Sequence, residues 1–101
     1  MKIKDLPKID RPREKLEKYG PERLSDSELL AILLRTGSKG INVVELSGKI
    51  LRKWSGAGLA KASAKELKNT FGLGSAKAGE IVACFVLGRR HLQNKQSVPK
   101  F

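Results

Sequence analysis

Apolar residues recur at three- and four-residue intervals in several stretches of the chain. In residues 43–54 one helical face would carry Val43, Leu46, Ser47, Ile50 and Trp54. Near the C-terminus a second such face would carry Ala78, Ile81, Val82 and Phe85. This spacing is typical of amphipathic helices, and no stretch shows the sustained alternation that a half-buried strand requires. The pattern therefore predicts an all-α fold.

The segment LSDSELLAILLRTG, residues 24–37, predicts another helix. Ser25 and Glu28 have the spacing of a capping box, in which each side chain accepts a backbone N–H at the helix start. The predicted core stripe of this helix is Leu29, Leu30, Leu33 and Leu34. Gly37 is expected to end the helix because glycine is favoured just beyond a helix C-terminus.

Further helix boundaries follow from caps and breakers. The predicted N-terminal caps are Asp10 before Pro12, Asn42 before Glu45, Ser63 before Glu66, and Ser75 for the last helix. Gly20-Pro21 and residues 55–58 break the pattern, and residues 59–62 predict one loose turn. Residues 11–92 should therefore form a compact bundle of about five short helices. Residues 1–10 predict an extended segment, and residues 93–101 predict a linker or disordered tail.

Charge is the strongest compositional signal. Twenty-one Lys and Arg residues against ten Asp and Glu residues leave a formal net charge of +11. Such an excess predicts a polyanionic partner, although a solubilising charge excess would have the same composition. Cys84 and His91 are single residues of their kinds, which excludes a disulfide or a Cys/His zinc site within one chain. No secretion signal or membrane-spanning stretch is visible, so we expect a cytoplasmic protein with no cofactor and no membrane partner.

The sequence FGLGSAKA, residues 71–78, raises the question of a phosphate site. A dinucleotide-binding fingerprint would need a third glycine at Lys77 and a preceding strand, and the Gly-Lys-Ser/Thr of a phosphate-binding P-loop is absent. The remaining interpretation is a tight turn that leaves the first amides of the last helix uncovered, with Lys77 as a mobile charge nearby. The predicted phosphate-binding residues are Gly72, Gly74, Ser75, Ala76 and Lys77. Alternatively, the glycines only permit tight packing of two helices.

This glycine pattern resembles the helix-hairpin-helix motif, which binds DNA backbones without reading sequence. A wider resemblance covers residues 3–92: RPREKLEKYGPERLSDSELLAILLRTGSKG, FGLGSAKA and LGRR are similar to the N-terminal domain of the bacterial RadC family. It implies a protein linked to DNA repair in which this domain precedes a JAB/MPN-type metalloprotein domain. The family's hairpin, placed on this sequence, implies that the Leu73 side chain points toward the core.

A second glycine turn gives a degenerate helix-hairpin-helix candidate. It would bind a phosphate with Gly37, Ser38, Lys39 and Gly40. The segments SDSELLAILLRTGSKGIN and SAKELKNTFGLGSAKA share a loose order of capped helix, glycine turn and new helix, but any two helix pairs could produce that match. Arg89 and Arg90 would either contact a DNA backbone or offset the negative end of the last helix.

No catalytic constellation can be assembled from these residues. We expect His91 at the surface, Cys84 buried, and the carboxylates of Asp26 and Glu28 at a helix start rather than on a metal. Two hypotheses follow, and neither makes this segment an enzyme. The first is sequence-independent binding of DNA, and the second is a regulatory or interaction domain that packs on a C-terminal JAB/MPN domain.

Overall fold

A computed structural model describes residues 11–38, 40–55 and 57–92. Their helices are α1 (Pro12–Tyr19), a 3-10 helix (Pro21–Arg23), α2 (Asp26–Leu34), α3 (Val43–Lys53), α4 (Ala57–Lys61), α5 (Ala64–Lys68) and α6 (Gly74–Leu92). Within these ranges the only β-type pairing is an isolated bridge between Ser38 and Ile41. The all-α prediction is confirmed. The predicted extended segment (1–10) and tail (93–101) lie outside the described residues.

Three helix starts carry the side-chain caps that the sequence predicts. The Ser25 hydroxyl accepts the Glu28 amide at 3.1 Å, and the Glu28 carboxylate accepts the Ser25 amide at 2.9 Å. Ser63 and Glu66 form the same reciprocal pair at the start of α5. Asn42 Oδ1 accepts the Glu45 amide at 2.9 Å. These bonds occupy donors that each helix start would otherwise leave unpaired.

The carboxylate of Glu28 also ties α1 to α2. Lys15 Nζ donates to Glu28 Oε2 at 2.7 Å. Burial raises the pKa of Glu28, but the hydrogen bonds from Lys15 and Ser25 outweigh it, so the pKa lies below its ordinary value. The pKa of Glu66 is lowered by its hydrogen bonds to Ser63. Both carboxylates are therefore occupied in helix capping, as expected for Glu28.

Two predicted caps and one predicted turn were wrong. The N-cap of α1 is Arg11 rather than Asp10, because the proline that follows favours extended backbone at the residue just before it. Helix α6 begins at Gly74, so Ser75 lies in its first turn instead of capping it. The loose turn predicted at residues 59–62 is the helix α4.

One hydrophobic core joins the helices, with α2 packed on α3 and α5 packed on α6. Its most deeply buried side chains are Leu34, Val43, Leu46, Ile50, Leu67, Ala78 and Ile81. The buried Ser47 hydroxyl donates to the Val43 carbonyl at 2.7 Å, which satisfies a polar group inside the core. Within the described ranges, no helix combines the length and the apolar character that a membrane span needs.

Two burial predictions were wrong. Leu29 is 39% exposed, although the sequence predicted it in the core stripe of α2. This helix is apolar on nearly every side, so its sequence does not mark which leucines face inward. Cys84 is exposed rather than buried because it lines an open groove with Leu29 and Phe85 instead of being covered by another helix.

Candidate functional site

The chain reverses between α5 and α6 in a segment that we call the glycine hairpin, residues 70–74. Phe71 and Gly72 have φ angles of 49° and 70°, and the Leu73 amide donates to the Thr70 carbonyl at 3.0 Å. Two consecutive positive φ angles with this hydrogen bond are the features of a type I′ turn. Gly74 follows with a φ of 79°. Glycine meets this requirement without the steric cost that a side chain brings.

The base of the glycine hairpin is fixed by core contacts. Leu73 is 7% exposed and belongs to the core, which confirms that it points inward. Trp54 Nε1 donates to Thr70 Oγ1 at 3.3 Å, and Thr70 Oγ1 donates to the Glu66 carbonyl at 3.0 Å. The hairpin is thus held between the end of α3 and the end of α5, so its exposed tip has a defined position.

The start of α6 differs from those of the capped helices. Among the described residues, the amides of Gly74, Ser75 and Ala76 donate to no acceptor outside α6, and the first turn of α6 has no acidic side chain. By contrast, α2, α3 and α5 each have a side-chain cap and an acidic first turn. A Cβ added at Gly74 would meet nothing within 4 Å. These donors are open to an anion from outside.

Lys77 is not the mobile charge that the sequence predicted. Its ammonium donates to the Thr36 carbonyl at 3.0 Å and to the Thr36 hydroxyl at 2.6 Å. The side chain therefore bridges from the first turn of α6 to the loop after α2. This contact places the loop carrying the second predicted phosphate site beside the glycine hairpin, a proximity that the sequence did not indicate.

The second loop is built for close packing at its start. A Cβ at Gly37 would collide with the Ile41 carbonyl oxygen, so this position requires glycine. The Ile41 amide donates to the Ser38 carbonyl at 3.0 Å, and Gly40 has a φ of 71°. Lys39 lies outside the described residues. Of the predicted second site, Gly37 therefore has a packing role, while Ser38 and Gly40 are exposed.

The two loops share one open groove. Phe71, at the tip of the glycine hairpin and 43% exposed, lines it together with Ser38, Gly40 and Lys49. Its volume is about 360 Å³. A bulky residue at positive φ is an unusual feature. The groove thus places Ser38 and Gly40 of the second predicted site beside the tip of the glycine hairpin, and Glu45 also lines it.

Arg35 is a feature of this surface that sequence reasoning missed. Its φ is 70° and its ψ is −44°, and the Thr36 amide donates to the Leu34 carbonyl at 2.8 Å. These are the marks of a γ-turn with positive φ, which is rare and strained. Arg35 Nη2 also pairs with Glu80 Oε1 of α6 at 3.1 Å. No local sequence signal marks an arginine for this conformation, so only the tertiary structure could reveal it.

The arginines near the end of α6 have different surroundings. Arg89 Nη1 donates to the Ala60 carbonyl at 2.7 Å. This hydrogen bond occupies a backbone acceptor near the end of α4. Arg89 also lies in the last turn of α6, where the sequence suggested that it offsets the negative end of the helix or contacts a DNA backbone. Arg90 is exposed.

The remaining chemistry-bearing residues do not converge. Within the described part of the chain, no group of three or more His, Cys, Asp or Glu side chains could hold a metal ion. His91 lies on the surface, and Asp26 and Glu28 lie in the first turn of α2. What the surface around the glycine hairpin offers is uncovered amide donors and fixed positive charge.

Comparison with known proteins identifies the family. The family model described as UPF0758 N-terminal matches residues 3–79. A UPF0758 protein of Bacillus licheniformis is 53% identical over 91 residues, which are 89% of this chain and 41% of that protein. A UPF0758 protein of Methanosarcina acetivorans is 49% identical over 90 residues, or 89% of this chain and 39% of that protein. No solved structure matches the chain.

The chain spans about two fifths of the length of these relatives. Their names state no activity, substrate or partner. The match extends from before α1 into the first part of α6 and so includes the glycine hairpin and the loop at residues 36–41. The chain belongs to the UPF0758 family, which is the RadC-like family, and it carries the N-terminal region of that family.

Proposed function

We propose that this domain binds the DNA backbone without reading base sequence and does so with the glycine hairpin and the first turn of α6. The observation that carries the proposal is the set of amides at Gly74, Ser75 and Ala76, which have no acceptor among the described residues outside their helix. Amides at a helix start, together with the positive end of the helix dipole, are suited to a phosphate oxygen.

Three further features support this function. The net charge of +11 favours a polyanion. Ser75 and Ala76 are exposed, and a Cβ at Gly72 or Gly74 would meet nothing within 4 Å, so a backbone can approach closely. The resemblance to a helix-hairpin-helix motif points the same way, with α5 and α6 as the two helices. Contacts to phosphates position a protein on DNA but carry no base information.

A titration with short DNA duplexes tests the proposal. If the domain neutralises about three to five phosphates, the logarithm of the binding constant should fall against the logarithm of salt concentration with a slope of about −3 to −4.5. Two duplexes of equal length and unrelated sequence should bind equally well. In NMR spectra the largest shifts should centre on residues 72–77.

Poly-glutamate of similar charge is the control for bulk electrostatics. A duplex that produces no shifts at low salt, or shifts spread evenly over the surface lysines, would contradict the role of the hairpin. Equal shifts by poly-glutamate at residues 72–77 would show that any polyanion suffices there and would remove the case for DNA.

A second function is favoured by an apolar groove that is lined in part by α2. The groove has a volume of about 530 Å³, and Leu29, Leu33, Leu51 and Phe85 line it. Exposed apolar surface of this kind is typical of an interaction site. The relatives are more than twice as long as the matched region, whose family model is described as N-terminal. The occupant that fits is the C-terminal part of the same protein, where the resemblance implies a JAB/MPN domain.

Leu29→Glu tests this packing in a full-length relative and in residues 1–101. Leu29 is 39% exposed, so the shorter chain should keep its melting temperature. If the C-terminal part covers the groove, the same change should lower the melting temperature of the full-length protein by several degrees because it buries an unpaired charge. Equal effects in the two proteins would rule out the packing.

A further inference from the structure

A second basic feature includes Arg35, the residue before Thr36. We call it the three-arginine pocket. It is a cavity of about 220 Å³ lined by Arg11, Arg13 and Arg35 and, on its apolar part, by Ala31, Ile32 and Val43. Residues of α1, α2 and α3 therefore meet around it, although they are distant in sequence. None of its arginines belongs to the phosphate sites that the sequence predicted.

The pocket is held in a fixed relation to the glycine hairpin. Arg35 pairs with Glu80 of α6, and the next residue, Thr36, accepts two hydrogen bonds from Lys77 of the same helix. Gly74 and Glu80 are about 9 Å apart along the axis of α6. That distance corresponds to the rise of about three nucleotides along one DNA strand. Arg35, which lines the pocket and pairs with Glu80, is therefore the pocket residue placed near a strand that contacts the hairpin.

The local charge balance favours an anion. Three arginines and one acidic residue, Glu14, line the pocket, and of the arginines Arg35 pairs with Glu80 of α6. The Arg35 side chain is 68% exposed, and an ion pair this exposed is weak, so Arg35 can exchange Glu80 for a ligand at little cost. Guanidinium groups match phosphate oxygens with paired N–H donors.

We propose that the three-arginine pocket binds a second phosphate of the DNA strand that contacts the glycine hairpin. This inference rests on the proposed function and adds to it a second contact and a path for the strand over Arg35. The aliphatic floor of Ala31, Ile32 and Val43 suits the carbon atoms of a deoxyribose beside that phosphate. An acidic peptide would also pair with the arginines, but nothing in its chemistry requires it to extend to the amides of α6.

Arg13→Gln is the principal test, with Arg52→Gln as its matched control. Both arginines are exposed, and both variants remove one positive charge, but Arg52 lies near the end of α3 and does not line the pocket. With a short duplex, Arg13→Gln should weaken binding several-fold and make the salt slope less steep by about 0.9, the contribution of one phosphate. Arg52→Gln should change both values much less.

Arg35→Gly is a second variant that keeps the test independent of folding defects. Glycine adopts positive φ without strain, so the melting temperature should not fall, while affinity for the duplex should fall as it does for Arg13→Gln. Equal binding by Arg13→Gln, Arg35→Gly and Arg52→Gln would overturn the pocket. If Gly74→Val still weakened duplex binding while the three arginine variants bound equally, DNA binding by the glycine hairpin would stand without the pocket.

A duplex that does not bind the unaltered chain would overturn both proposals. In that event poly-glutamate serves as the probe for the other class of partner. NMR shifts at Arg13 and Arg35 with poly-glutamate, and none with the duplex, would assign the pocket to acidic protein segments and refute a phosphate site.

Discussion

Gly74→Val is expected to weaken binding of the domain to a short DNA duplex by about tenfold or more, while α6 remains helical. Gly74 has a φ of 79°, where a β-branched residue is strained, so the backbone at the start of α6 must shift. The shift would turn the amides of Gly74 and Ser75 away from a bound phosphate. Hydrogen bonds to charged groups contribute about 1.5–3 kcal/mol each, so the loss of one accounts for a tenfold change.

Gly79→Val is the matched control for that experiment. Gly79 lies in the same helix, its φ is not in the positive range, and a Cβ there would meet nothing within 4 Å. The added side chain has the same size but should leave the amides at the helix start in place. Binding is measured by fluorescence anisotropy and helix content by circular dichroism. Equal affinities for the two variants would refute the role of the hairpin amides.

Leu67→Ala is expected to lower the free energy of unfolding by about 2–5 kcal/mol, the usual cost of removing most of a buried leucine. Leu67 is 0% exposed and is the buried residue of α5. This helix has five residues, far fewer than an isolated helix needs to be stable, so packing must hold it. The loss is a large part of the roughly 5–15 kcal/mol that stabilises a typical domain.

Leu87→Ala serves as the comparison because Leu87 lies on α6 and is 59% exposed. Chemical denaturation of both variants should show a large shift of the midpoint for Leu67→Ala and a small one for Leu87→Ala. Because α5 leads directly into the glycine hairpin, Leu67→Ala should also weaken duplex binding under conditions where the chain is partly unfolded. Similar midpoints would show that α5 does not depend on the core.

Local sequence signals were sufficient wherever the interaction spans one helical turn. The caps at Ser25, Asn42 and Ser63 were predicted residue by residue, and each has its expected hydrogen bond. The buried face of α3 was also predicted because its polar and apolar residues separate cleanly. The inward position of Leu73 was implied by the resemblance to the RadC-family hairpin rather than by a local signal.

Predictions failed where a residue depends on a distant partner. Lys77 bonds to Thr36, which is 41 positions away, so its charge is not the mobile one that the sequence predicted. In α2 all six residues from 29 to 34 are apolar, so only the packing of α3 and α6 decides that Leu29 stays exposed. The positive φ of Arg35 depends on how α2 ends against its neighbours, and no sequence pattern marks it.

By itself the sequence determined the helical character of the chain, three of the helix caps and the position of the glycine turn, because residues close together in the chain mark each of these. It also determined the net charge of +11, which depends on no contacts at all. Only the tertiary structure decided that the two glycine loops form one surface and that three arginines surround a pocket beside it. Their side chains come from segments far apart in the chain, and only the packing of α1, α2, α3 and α6 brings them together.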